Sequence, residues 1–379
     1  GWAVAAVVVV VVSAVARGEV ESMPRSAHWV IRSSSLEKTL GFLTTVLDMR
    51  VLRHEENPEA CPITCNGNYA TAWSKTMVGY ATEDQAYALE VTYNYGVHEY
   101  RVGTGLRSFS LVAQNISRSL DLAASLGFLA KRREDGSGVV VGPDNYRFVL
   151  REDQATRKEP FLQVDLAVSD LDASTSFYTQ VLRMSLMDRN NQGWALVGYP
   201  GSNQVPLKLN SLGRDRVPRV EDWEGRHAVS VPAEQLQAIY QTVKSTRPEL
   251  IVHTMMELKE VLGILFIAII KDPDGFEICL VSSETFDKAV LEADDFVGPD
   301  WEYRKEFVAS QLDTTASHDR PKFESFSAAL AFVSQRLARP TEMSRENRHF
   351  FFLGFVGGLA ATLTLLDALA RHRKRLTLS

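Results

Sequence analysis

The sequence predicts an α+β fold of four βαβββ modules in two tandem pairs, followed by an apolar helix near the C-terminus. The chain has 379 residues, of which 45% are hydrophobic and 23% charged, and this is enough apolar material for two domains with cores. Internal repetition predicts the modules, because residues 42–49 (FLTTVLDM) have a counterpart 135 positions later at residues 177–184 (FYTQVLRM). Matching turn motifs in the second half of each pair support the same division.

Module one begins with a predicted strand at residues 28–32. A capping box at residues 34–37 then opens a helix. Leucines recur on one face of this helix, which predicts that it packs on a sheet; they are Leu36, Leu40, Leu43 and Leu47. Predicted strands at residues 76–80 and 87–93 complete the module.

Modules two and four each combine a strand, a helix and a hairpin around a proline-containing turn. Module two has predicted strands at 108–112, 139–141 and 146–150 and a helix at 118–126. Module four has predicted strands at 227–231, 265–271 and 276–281 and a helix at 234–243. The turns at 142–145 (GPDN) and 272–275 (DPDG) favour hairpins, because Pro presets φ and Asn or Gly tolerates positive φ.

Module three has an alternating strand at residues 162–168 and a helix capped by Ser169 and Asp170. Strands are predicted at 195–199 and 205–209. The four modules group into a first domain at residues 25–152 and a second at residues 160–285.

The two ends of the chain differ from the modules. Residues 1–22 are predicted to be a signal or targeting segment, or alternatively a stretch without function before a start at Met23. Residues 286–348 predict a charged helical spacer. Residues 350–369 are apolar with a basic flank, and they predict a single transmembrane helix or, alternatively, a buried or interfacial one. The chain is therefore predicted to be membrane-associated, in the secretory pathway or the mitochondrion, with its topology open.

Charge and cysteine content restrict the partners and the redox chemistry. The net charge of −6 gives no support for nucleic-acid binding, which usually needs a basic face. The chain has three cysteines, too few for a disulfide framework at this length. Cys61 and Cys65 have no second Cys/His pair nearby, so we expect two loop thiols rather than a zinc site.

Several stretches resemble the vicinal-oxygen-chelate superfamily and, within it, the glyoxalases. They lie at residues 51–56, 73–80, 92–96 and 272–279, and the resemblance covers about residues 25–285. It implies glyoxalase-type modules paired into open barrels around clefts. It also implies that modules one and four form one cleft, and modules two and three the other.

The resemblance places metal ligands on the first and last strands of each module. In the one–four cleft these positions carry His28 and Glu90 from module one, and His227 with Glu277 or Cys279 from module four. Such ligands suit Zn, Ni, Fe, Co or Mn. The two–three cleft carries residues that predict no metal there, namely Ser108, Val149, Gln163 and Lys208.

The activity implied by the resemblance is that of a metal-dependent lyase or isomerase acting on a small carbonyl adduct, with glutathione as a co-substrate. Glu90 or Glu277 would act as the base, and Arg32 and Asn94 match glutathione-contacting positions by register. Two alternatives stay open. One is a catalytically silent binding or scaffold protein, and the other is a homo-oligomer or membrane-complex subunit with a structural role.

Overall fold

A computed structural model of the protein describes residues 23–152, 159–201, 203–213, 216–260, 263–292 and 298–300. In these residues each module contains a strand, a helix and three further strands, which confirms the predicted βαβββ repeat. Module one comprises β1 (Arg25–Ser33), α1 (Leu36–Thr45), β2 (Arg50–Asn57), β3 (Trp73–Gly79) and β4 (Ala88–Asn94). Module two comprises β5 (Leu106–Val112), α2 (Ile116–Ser125), β6 (Leu129–Arg132), β7 (Gly138–Val141) and β8 (Arg147–Arg151).

The second half of the chain repeats this order. Module three comprises β9 (Phe161–Val168), α3 (Leu171–Ser176), β10 (Ser185–Asn190), β11 (Trp194–Gly198) and β12 (Leu207–Ser211), and α3 continues as a π-helical turn at Phe177–Val181. Module four comprises β13 (Arg226–Val231), α4 (Ala233–Thr246), β14 (Ile251–Glu260), β15 (Gly263–Lys271) and β16 (Glu277–Ser282). A further helix, α5 (Ser283–Glu292), follows.

The described strands form two open, eight-stranded mixed sheets, and neither closes into a barrel. The first has the order β14-β15-β16-β13-β1-β4-β3-β2, and the second has the order β10-β11-β12-β9-β5-β8-β7-β6. Modules one and four therefore share one sheet, and modules two and three share the other. Each sheet takes strands from both predicted domains, and antiparallel pairs at its centre (β1 with β13, and β5 with β9) join the modules.

Strand alternation gives the first sheet two different faces. Trp29 of β1 is 1% exposed and packs in the main core with Phe109 of module two and Phe276 of module four, each at 6.4 Å between ring centroids. Neighbouring residues of β1 point to the opposite face, because side chains alternate along a strand. His28 and Val30 thus face away from this core and towards a separate cavity.

Local signals in the sequence are confirmed in part. Asp170 caps α3, accepting from the backbone N–H groups of Asp172 and Ala173. Asn145 (φ 66°) and Gly275 (φ 99°) adopt the left-handed conformation that the predicted turns require. The capping box predicted at residues 34–37 is wrong, because Ser35 is the N-cap residue of α1 and makes no side-chain capping hydrogen bond.

Within the described ranges, no helix is both long and apolar enough to cross a membrane. The predicted membrane association is wrong by this finding and is not carried further. The apolar segment 350–369 that motivated it, the predicted segment 1–22 and most of the predicted spacer lie outside the described residues.

Candidate small-molecule site

The face of the first sheet opposite the main core carries an enclosed cavity of about 70 Å³. Module one supplies polar side chains to its wall, namely His28, Arg53, Lys75 and Glu90. Module four supplies Arg226 and a mainly apolar wall of Ala228, Leu258, Leu265, Ile267, Cys279 and Val281. The cavity holds several waters or a ligand of a few non-hydrogen atoms, with one polar side and one apolar side.

Two elements outside the sheet also line the cavity. Ile63 and Cys65 belong to the loop at residues 61–66, which we name the cover loop, and Phe286 belongs to α5. The cover loop contains a disulfide between Cys61 and Cys65, so the prediction of two loop thiols is wrong. The Cα atoms of these cysteines lie 5.4 Å apart, within the range that a disulfide spans.

His28 and Glu90 meet at the polar end of the cavity. The Nε2 atom of His28 lies 3.4 Å from Oε2 of Glu90, and Thr92 Oγ1 donates to Oε1 of Glu90 at 3.3 Å. Burial raises the pKa of Glu90, but His28 and the charges of Lys75 and Arg53 outweigh it and lower the pKa to about 2. Glu90 is therefore a carboxylate at neutral pH and a weak proton acceptor.

Other charges around the cavity are paired. Arg53 Nε donates to Glu83 at 2.6 Å, and Lys75 lies 3.1 Å from Glu55. The charges of the cavity wall are thus largely balanced within the protein, and the site is not a strongly cationic pocket.

Arg226 ties the cavity to the cover loop. It is 4% exposed. Its Nη1 donates to the Ile63 carbonyl at 3.1 Å, and its Nη2 donates to the Thr64 carbonyl at 2.6 Å and to Glu277 at 2.7 Å. Its Nε is buried and has no hydrogen-bond partner among the described residues, and the same is true of Nδ1 of His28. Two buried nitrogens of the cavity wall therefore await a partner.

His227 lies on the other face of the sheet. Its ring stacks on Trp29 at 5.4 Å between centroids, and it is absent from the cavity wall. Burial, followed by the charge of His28, lowers the pKa of His227 to about 3, so the imidazole is neutral. The structure does not bring this predicted ligand to the cavity.

The register of the two central strands explains the position of His227. β1 and β13 are antiparallel neighbours, and His28 lies opposite Ala228. Two modules that meet in this way are related by an approximate two-fold axis between the paired residues. The counterpart of His28 in module four is therefore Ala228, which also lines the cavity.

The same relation identifies the counterpart of Glu90. Glu90 lies beside Val30, two residues after His28. In module four the residue beside Ser230, two residues after Ala228, is Val281. Module four thus presents a methyl group and an isopropyl group where module one presents His28 and Glu90, and neither group can bind a metal.

Glu277 and Cys279 take different places. Cys279 lines the cavity beside Ala228. Glu277 pairs with Arg226 and has 26% of its side chain exposed, so its charge is already neutralised. Among the residues that the structure describes, no three His, Cys, Asp or Glu side chains are grouped to hold a metal ion. The donor set of this cleft therefore does not fit the metal centre that the resemblance implied.

Arg32 and Asn94 brace the cover loop and are not part of the cavity wall. Arg32 Nη1 donates to the Cys65 carbonyl at 2.6 Å, and burial, followed by the charge of Arg226, lowers the pKa of Arg32. Asn94 accepts from Asn66 Nδ2 at 2.9 Å and donates to the Asn66 carbonyl at 2.9 Å. Both side chains are already bonded to protein in this arrangement.

The two–three cleft contains an acidic residue that the sequence-based reasoning missed. Asp165 accepts from Ser110 at 3.1 Å and from Gln163 at 3.0 Å, so its carboxylate is held within the sheet. Lys208 lies over the ring of Trp194 at 4.6 Å. The register that places Ser110 opposite Gln163 was not deducible from alternation within one strand.

Comparisons with known proteins agree with this architecture. A sequence model of the family described as glyoxalase domain-containing protein 4-like, C-terminal domain, matches residues 170–289. Glyoxalase domain-containing protein 4 of Rattus norvegicus is 32% identical over 263 residues, covering 69% of this chain and 86% of the rat protein. Lactoylglutathione lyase of Arabidopsis thaliana is 34% identical over 170 residues, covering 43% of this chain and 56% of the plant protein.

Solved structures extend the similarity to three dimensions. Glyoxalase I from Zea mays is similar with a TM-score of 0.55 and 25% identity, covering 70% of this chain and 95% of the maize chain. The paired sheets, the repeated modules and the rat relative give one consistent assignment. The chain belongs to the glyoxalase family of the vicinal-oxygen-chelate superfamily, together with glyoxalase domain-containing protein 4.

Proposed function

We propose that this protein binds a small carbonyl or carboxylate compound in the one–four cavity through its own side chains, without a complete metal centre. The observation that carries the proposal is the pair of buried, partnerless nitrogens on the cavity wall, Arg226 Nε and His28 Nδ1. A buried donor left unpaired costs about 1–3 kcal/mol, so an acceptor oxygen that enters the cavity gains that free energy.

The rest of the cavity supports a ligand with a polar end and a short carbon skeleton. Leu258, Ile267 and Val281 form an apolar wall across from His28 and Glu90. A carbon skeleton against that wall leaves water, while the ligand oxygens meet the two nitrogens. In this account Glu90 orients the His28 ring through their contact, and it acts through position rather than as a base.

A metal-dependent lyase acting on a glutathione-type adduct is the second candidate. In its favour are the contact between His28 and Glu90 and the name of the Arabidopsis relative, a lactoylglutathione lyase. Against it are Ala228 and Val281 at the counterpart positions. The ion pair of Glu277 with Arg226 also counts against Glu277 as a ligand or base.

Calorimetric titration of the full chain with sodium glycolate tests the proposal. Arg226→Lys keeps the positive charge and removes the Nε–H donor, and we expect it to weaken binding about tenfold, the equivalent of one hydrogen bond. Arg118→Lys, which alters an exposed pair with Asp48, is the matched control and should bind like wild type. Absence of glycolate binding, or equal binding by Arg226→Lys, would overturn the proposal.

The same preparations separate the two candidates. The metal-free chain is incubated with Zn, Ni or Co and assayed with the adduct of glutathione and methylglyoxal. Turnover that appears only with metal and is lost in His28→Ala would favour the lyase. Glycolate binding without turnover would favour the binding protein.

A further inference from the structure

Cys279 stands on the cavity wall in a row with two residues already described. It lies beside Ala228 on the neighbouring strand, and Ala228 lies opposite His28 on the next. Neighbouring strands are about 4.8 Å apart, so the backbones of Cys279 and His28 are separated by roughly 10 Å. The small side chain of Ala228 leaves the space between them open, and all three residues line the same cavity.

Hydrogen-bonding nitrogens face this space from the same side of the sheet. Arg226 precedes Ala228 by two residues and shares its face, and its Nε is buried without a partner. His28 is 9% exposed, and its Nδ1 is likewise buried without a partner. A thiol and two polar nitrogens thus converge on an enclosed volume of about 70 Å³.

We propose that Cys279 is a reversible covalent binding site for small aldehydes that carry a second oxygen beside the aldehyde carbon. The inference rests on the proposed function and specifies its ligand class. The sulfur adds to the aldehyde carbon, and one S–C bond forms. The electron pair of the C=O π bond moves to oxygen, which takes the proton released by the thiol. No atom is oxidised or reduced, and the product is a thiohemiacetal.

The surroundings favour this adduct over the free aldehyde. Arg226 Nε–H donates to an oxygen of the bound compound, and the apolar wall excludes the water that would compete for the aldehyde carbon. Cys61 and Cys65 are joined in a disulfide and carry no thiol. Because the chain contains three cysteines, Cys279 is the single thiol available for the reaction.

Two probes that differ at one carbon test the inference. Glyoxylate carries an aldehyde beside a carboxylate, whereas glycolate carries a hydroxymethyl group in its place. We expect wild type to bind glyoxylate about tenfold more tightly than glycolate in calorimetry. An isotope-labelled aldehyde carbon of glyoxylate should give a protein-bound thiohemiacetal NMR signal.

Cys279→Ser is the decisive variant, because serine keeps the size of the side chain and forms a far less stable adduct. It should lose the NMR signal and bind glyoxylate only as tightly as glycolate, while its glycolate affinity equals that of wild type and shows that the cavity is intact. Glyoxylate binding unchanged by Cys279→Ser would overturn the inference and leave the proposed function standing. Failure of wild type to bind either compound would overturn both.

Discussion

Removal of the Arg226 side chain should destabilise the protein more than removal of any exposed arginine. Arg226 is 4% exposed, and its guanidinium bonds the Ile63 and Thr64 carbonyls and the Glu277 carboxylate. Loss of one partner of a buried ion pair costs about 3–5 kcal/mol, because the remaining charge is left without compensation. Since Glu277 is 26% exposed and water reaches it, we expect Arg226→Met to cost about 3 kcal/mol, at the lower end.

Urea denaturation of the wild type and the variants measures this cost. Arg189→Met is the matched control, because Arg189 pairs with Asp172 at 2.6 Å while its side chain is 42% exposed; it should cost less than about 0.5 kcal/mol. Adding Glu277→Gln to Arg226→Met should restore about 1 kcal/mol, since it removes the uncompensated charge. A loss below about 1 kcal/mol for Arg226→Met, or purely additive effects in the double variant, would refute the role assigned to this arginine.

Two further predictions concern the free energy of unfolding. Burial raises the pKa of Asp272 to about 7 from an ordinary 3.8, so its protonation stabilises the folded state at low pH and that stability is lost as pH rises through about 7; Asp272→Asn should flatten the pH dependence between these values, and equal slopes in urea titrations would count against it. Replacing Cys61 and Cys65 with serine opens a short loop, with a sequence separation of 4, and should cost about 2 kcal/mol. A dithiol should destabilise wild type but not this double variant.

The sequence was sufficient to predict the repeat and most of the paired strands. Alternation in β9 and the turns before β8 and β16 carried enough local information to place these elements within a few residues. β10 was missed, because five of its six residues are exposed and it shows no apolar alternation. An edge strand of this kind is recognised by its partner strand and not by its own pattern.

The candidate site was harder to predict, because it depends on register between distant segments. A shift of one residue moves a side chain to the opposite face of a sheet. His227 begins a strand-like segment and attracted the ligand assignment, but the pairing of His28 with Ala228 turns it into the core. That pairing joins residues 200 positions apart (28 to 228) and leaves no trace in either segment alone. The Cys61–Cys65 disulfide likewise depends on how the cover loop closes.

The central claim is that module four lacks the counterparts of His28 and Glu90, and titration with metal tests it most directly. Zn, Ni and Co are titrated into the metal-free wild type and into a variant carrying both Ala228→His and Val281→Glu, with binding followed by calorimetry and by thermal unfolding. We predict no saturable site in the cleft of wild type. In the variant we predict a new site that stabilises the fold by about 2.7 kcal/mol at a hundredfold excess over Kd. Stoichiometric metal bound by wild type and lost in His28→Ala would contradict the account.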